Sequence, residues 1–170
     1  VVGLDCEWEP ALGGKTPNPV STVQLSLPDG TAALFHLQRK QKIPFSPHLC
    51  KRFWRILTSR RCVFVGVNVN LDASYLVRDY KVEVANTVDL RTHARQCLVE
   101  TPSRSLAGMV SALIGKTLRK DPAIRLSQWS SHQLTPEQAR NKSTRDYACR
   151  DAYASVLVYQ TIENLKDPIR

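Results

Sequence analysis

Apolar and polar positions change period several times along the chain, and each change marks an element. Val1-Val2-Gly3-Leu4 is an unbroken apolar run leading into Asp5-Cys6-Glu7-Trp8, which predicts a buried strand over 1–8. Prolines, glycines and an asparagine crowd 9–19 and predict a loop. Val20 to Leu27 alternates loosely, breaks at Pro28-Asp29-Gly30 and resumes over Thr31–Leu37, the pattern of a hairpin across 20–37. Ser46-Pro47 starts a helix to about residue 59, with Leu49, Phe53, Trp54 and Leu57 at helical spacing. Cys62–Val67 is a short apolar run bounded by basic residues, predicting a buried parallel strand. A helix over 71–80, a strand over 84–90 and a helix over 90–98 follow. Residues 103–118 form an amphipathic helix with Leu106, Met109, Val110, Leu113 and Ile114 on one face. The last helix opens at Thr135-Pro136 and runs to about Leu165, with a polar stretch at 141–143 where it can break. Three strands followed by alternating helices and strands predict an α/β protein, a mixed sheet with helices on its faces.

Composition narrows the class. A length of 170 residues with 42% hydrophobic content suits one domain, 1–170, with a core of its own. The opening inside a strand without a start methionine reads as a domain cut from a longer protein. No apolar run of about 18 residues is present, so no membrane helix is expected. Cysteines at 6, 50, 62, 97 and 149 make no C-x-x-C pair and read as neither disulfide framework nor zinc site, which points to a reducing, intracellular setting. The histidines at 36, 48, 93 and 132 suggest no ligand cluster. The charge is the outlying feature: 24 Lys and Arg against 15 Asp and Glu give +9. A polyanionic partner is the natural expectation. Between Arg39 and Arg61 every charged residue is basic.

Acidic residues stand where carboxylates are costly. Asp5 and Glu7, at i and i+2, project from one face of the first strand and repel each other unless a cation lies between them. Asp72 follows the inner strand 62–67. It either caps a helix or stands at the carboxyl end of a strand, where open α/β sheets place their sites. Tyr147 and Asp151, at i and i+4, share a face of the last helix. Each has an ordinary reading alone: a solvated strand end, a cap, a surface pair.

In order, however, D-x-E on the first strand, Asp72 after an inner strand and Y-x-x-x-D on the last helix resemble the DEDD superfamily of 3′–5′ exonucleases. The tyrosine marks the subclass that includes ribonuclease D and the exonuclease domain of the Werner syndrome helicase. Val2–Trp8, Val23-Gln24-Leu25, Leu34-Phe35-His36, Val65-Gly66-Val67, Leu113–Lys116, Ile124–Ser130, Leu134–Gln138 and Tyr147–Tyr153 carry the resemblance across nearly the whole chain. It implies a ribonuclease H-like fold, a mixed five-stranded sheet with antiparallel first strands and then parallel ones, flanked by helices. It also implies hydrolysis of the terminal phosphodiester of a nucleic acid with a free 3′ end, releasing nucleoside monophosphates. DNA is slightly favoured over RNA, and two divalent cations, Mg2+ or Mn2+, would serve as cofactors. Asp5 would bridge both ions, Glu7 and Asp151 would complete the site of the attacking water, and Asp72 would hold the second ion. Tyr147 would orient the water. Trp8 could stack on the terminal base, Arg60 and Arg61 could follow the phosphate backbone, and Asn68 and Asn70 could touch substrate or shape their turn. The polar stretch Ala139–Asp146 is longer than the family pattern. An exoribonuclease trimming small RNAs has the same chemistry. An inactive nucleic-acid-binding module is disfavoured because all four acids and Tyr147 are present.

Overall fold

The computed structural model describes residues 1–9, 17–37, 47–119 and 142–166, with backbone alone at 47–50 and 142–148. The strands are β1 (Val2–Glu7), β2 (Thr22–Ser26), β3 (Ala32–His36), β4 (Phe64–Gly66) and β5 (Thr87–Asp89). The helices are α1 (Pro47–Leu57), α2 (Val69–Tyr80), α3 (Leu90–Gln96), α4 (Leu106–Ile114) and α5 (Lys142–Leu165). The strands form one sheet in the order β3-β2-β1-β4-β5. β1 pairs antiparallel with β2, and β2 with β3, while β1–β4 and β4–β5 are parallel. The carboxyl ends of β1, β4 and β5 therefore lie along one edge of the sheet.

Alternation along the strands divides the interior in two. Val2, Leu4 and Cys6 of β1 join Val23 and Leu25 of β2, Phe53 and Leu57 of α1, and Val69 and Leu76 of α2. Val65 of β4 instead joins Leu90 and Ala94 of α3, Met109 and Val110 of α4, and Val156, Val158 and Ile162 of α5. The sheet is thus the middle of three layers. No helix among the described residues is long and apolar enough to cross a membrane.

Most element bounds differ from the sequence pattern, and the reasons are local. The strands expected over 62–67 and 84–90 shrink to Phe64–Gly66 and Thr87–Asp89. Asn86 has a positive φ of 46° and its side-chain amide donates to the Arg60 and Cys62 carbonyls, so the chain turns into β5 only at Thr87. Asn68 at φ 68° lets α2 begin at Val69, ahead of the expected Leu71. α4 is shorter than 103–118 because Ser105 caps Gly108 and Gly115 ends the helix at φ 69°. α5 is unbroken from Lys142 to Leu165, and residues 135–141 lie outside the described residues.

Candidate active site

Gly3, Asp5 and Glu7 alternate along β1 and so share the face opposite Val2, Leu4 and Cys6. α5 lies directly on that face, and glycine permits it. A Cβ on Gly3 would fall 1.9 Å from the Ala152 carbonyl oxygen. The neighbour of Ala152 is Asp151, only 6% exposed. Close approach of helix and strand thus carries Asp151 to the part of β1 that bears Asp5.

A second close approach sets the β4–α2 turn. A Cβ on Gly66 would lie 2.7 Å from the Leu4 carbonyl oxygen and 3.2 Å from the Val69 Cβ. The chain reverses through Asn68, whose backbone N–H donates to Asp89 Oδ2 at 2.8 Å. Asp72 then falls within the first turn of α2, 6% exposed. It is not the cap: Asn68 holds that position and makes no side-chain capping bond. Asp72's carboxyl is pushed well above the ordinary range, first by burial and then by the charges of Asp5, Glu7 and Asp89. The Cys6 thiol is raised as well, by burial and then by Asp72, Asp5 and Glu7. Negative potential therefore converges at the carboxyl ends of β1 and β4.

Gln24, with its neighbour Thr22, is one of two residues given no role from the sequence that shape the surroundings. In register, Gln24 of β2 stands opposite Asp5, and Thr22 opposite Glu7. Both are fully buried, with Gln24 Nε2 donating to Thr22 Oγ1 at 2.7 Å. Gln24 Oε1 has no hydrogen-bond partner among the described residues. The polar alternation of Thr22-Val23-Gln24-Leu25-Ser26 was visible, but such a face ordinarily faces water; here α5 covers it. The other residue is Asp89, which ends β5. It accepts from Asn68 N, from Arg91 N, and from Arg91 Nε and Nη2 at 2.8–3.0 Å. Burial alone would raise its pKa, but the Arg91 guanidinium and these N–H donors outweigh it, and the carboxyl is held below the ordinary range.

The remaining predicted residues fall in different places. Trp8 packs edge-on to Tyr75 of α2, with ring centroids 4.8 Å apart. Arg78 lies over the other partner of that pair, 4.2 Å from the Tyr75 ring centre. Asn68 Oδ1 accepts from Arg91 Nη2, and Asn70 Oδ1 accepts from the Thr87 hydroxyl, so both amides brace the turn. Arg60 and Arg61 are exposed in the turn before β4. That is the amino end of the parallel strands, about 20 Å of chain from the acids at ~3.3 Å per residue, and the structure does not bring them together. Tyr147 lies on α5 one turn before Asp151, in unbroken helix, and its side chain is outside the described residues. His93 departs from expectation. It bonds Glu163 Oε1 through Nε2 at 2.7 Å, and the donor atoms of His93, Cys97 and Glu163 all lie within 4.8 Å of one another. The i, i+4 spacing of His93 and Cys97 was legible; the contribution of Glu163 from α5 was not.

Asp5, Glu7, Asp72 and Asp151 offer hard oxygen donors only, and the charge of Asp72 is opposed by its acidic neighbours. That donor set suits magnesium or manganese, whose charge would favour the ionised carboxylates.

A mixed sheet of this order, with helices on both faces and acids at the carboxyl ends of β1 and β4, is a ribonuclease H-like α/β fold. The sequence profile of the 3′-5′ exonuclease family matches residues 1–166, and the chain belongs to that family. It is 32% identical over 167 residues to the mouse bifunctional 3′-5′ exonuclease/ATP-dependent helicase WRN, covering 98% of this chain and 11% of that protein. To a 3′-5′ exonuclease of Arabidopsis thaliana it is 29% identical over 169 residues, covering 99% of this chain and 54% of the relative. The chain thus spans little more than half of one relative and about a tenth of the other. Among solved structures, Brucella melitensis NrnC bound to pGG superposes with a TM-score of 0.72 at 18% identity, covering 96% of this chain and 71% of that one, a likeness of fold.

Proposed function

We propose that this chain is a metal-dependent 3′–5′ exonuclease that removes nucleoside monophosphates from the 3′ end of a nucleic acid strand, with DNA as the first substrate to test. The observation that carries this reading is the convergence of half-buried Asp5 and Glu7 with buried Asp72 on one negative site, with Asp151 brought against β1 through Gly3. Asp5, Glu7, Asp72 and Asp151 would hold two divalent cations, Mg2+ or Mn2+. When bound, such cations neutralise charge at the phosphodiester and lower the pKa of an attacking water.

The chain's own residues account for the rest. Burial of Asp72 and Asp151 removes competing water from the carboxylates and strengthens every charge interaction there. Glu7, half-buried at the end of β1, would help hold and orient the attacking water. Tyr147, with an ordinary pKa of about 10, is a poor base at neutral pH and would orient that water through its hydroxyl. Trp8, held on edge by Tyr75, would border the terminal base.

The test incubates the chain with 3′-recessed DNA duplex, single-stranded DNA and single-stranded RNA, each with Mg2+, Mn2+ or a chelator. A ladder shortening from the 3′ end, present with metal and absent with chelator, is the expected result. A ladder on RNA alone would make the chain an exoribonuclease. Internal cuts, or release from 5′ ends, would overturn the reading.

A further inference from the structure

Against the Asp89–Arg91 pair a groove of about 730 Å3 is lined by Arg91, Arg95, Leu98, Val99, Glu100, Thr101, Pro102 and Arg104. Arg91 binds Asp89 and Asn68, which brace the turn before Asp72. Arg95 stands one turn further along α3, about 6 Å along the helix axis, and Arg104 faces the groove from the loop before α4. Neither Arg95 nor Arg104 forms an ion pair among the described residues, whereas the charge of Arg91 is partly answered by Asp89. Glu100 is the one acid in the lining.

Leu98 makes the groove more than a basic surface. It is 90% exposed, the most exposed of the large apolar residues among those described. It also holds a left-handed φ of 57°, at the position after the α3 cap where glycine is usual. The chain thus keeps a bulky apolar side chain in a conformation that disfavours it, and offers it to solvent between arginines. Such an outlier points to use by a partner.

We propose that this groove takes the single strand leading to the scissile 3′ end, with Arg95 and Arg104 on its phosphates and Leu98 against a base. This rests on the nuclease reading above but is tested through binding, so the two can fail separately. Two arginines contact a polyanion at separated points along α3 and its following loop, while a leucine supplies a sequence-tolerant apolar platform. The groove would thereby act on long strands and not on the shortest substrates, which occupy the acidic site alone.

The experiment measures binding of a labelled single-stranded DNA by anisotropy in chelator, across a salt series, and hydrolysis of a dinucleotide with Mn2+. The Arg95→Glu/Arg104→Glu double variant is expected to bind the strand at least tenfold more weakly. Its slope of log affinity against log salt should be shallower by about 1.4, the value for two phosphate contacts on a single strand. Its dinucleotide hydrolysis should stay within about twofold of the parent. Leu98→Gly relieves the left-handed strain, so its thermal midpoint should hold or rise while strand affinity falls several-fold; a merely structural leucine would not lower affinity. Unchanged strand affinity and salt slope in the double variant would overturn the groove. Failure of the parent to hydrolyse the dinucleotide, or the labelled strand once Mn2+ is added, with strand binding intact, would overturn the nuclease reading and leave the groove standing.

Discussion

Asp72 is where a single residue decides most. Its charge is opposed by burial and by three neighbouring acids, so the metal-free chain holds it at a cost. Replacing it by asparagine removes that repulsion at nearly constant shape. Asp72→Asn should therefore abolish metal-dependent hydrolysis, by at least a hundredfold, while raising metal-free stability by about 1 kcal/mol or more, read by urea unfolding in chelator. A variant that lost activity by unfolding would show the opposite stability change. Asp151→Ala should also abolish activity, with circular dichroism confirming the intact fold. The carboxylate pattern could be read in the sequence because it consists of specific residue types at specific strand and helix offsets. The repulsion among them could not, since it depends on distances across three separate segments.

At the scale of elements, two contacts set the geometry. α5 reaches β1 only because residue 3 lacks a side chain, and a methyl group there would collide with the Ala152 carbonyl. Gly3→Ala should cost about 3 kcal/mol and lower kcat more than KM, because the helix that moves is the one carrying Asp151. Activity at the parent's kcat would show that the helix need not lie so close. The second contact is Asp89, which joins β5 to α3 and to the turn before α2. Its depressed pKa means that its stabilisation is complete above the ordinary carboxylate value of about 4 and is lost as pH falls through the lower folded value. Asp89→Asn should therefore cost about 2 kcal/mol at neutral pH, and the gap to the parent should narrow on acidification, checked by urea unfolding at both ends of the range. The periodicity identified every described helix and strand near these contacts, but placed ends wrongly at Val69 and Thr87. Positive φ at Asn68 and Asn86 moves those ends, and a local apolar count does not register it.

For the whole molecule, the net charge of +9 acquires a direction. The acids gather at the carboxyl ends of the parallel strands, and arginines flank them along α3. The exposed pair Arg60 and Arg61 lies at the far end of the sheet, in the turn before β4. Divalent cations, by binding only the folded acid cluster, should raise the thermal midpoint by about 5 °C at a hundredfold excess over Kd. Asp72→Asn should show a much smaller rise, and calorimetry with and without Mn2+ would measure it. An equal rise in both would place the bound metal elsewhere, with the His93, Cys97 and Glu163 group the first alternative.

By itself the sequence determined the class of fold, the order of its elements and the family, and it singled out the acids proposed for the site. Those follow from periodicity and from the order in which a few residue types recur along the chain. Tertiary structure alone decided that Thr22 and Gln24 are interior, that Asp89 with Arg91 braces the turn before Asp72, and that Leu98 stands strained and exposed in a basic groove. The physical reason is common to all three: burial, pairing and exposure belong to the surfaces that distant segments present to one another, and each segment alone leaves them open.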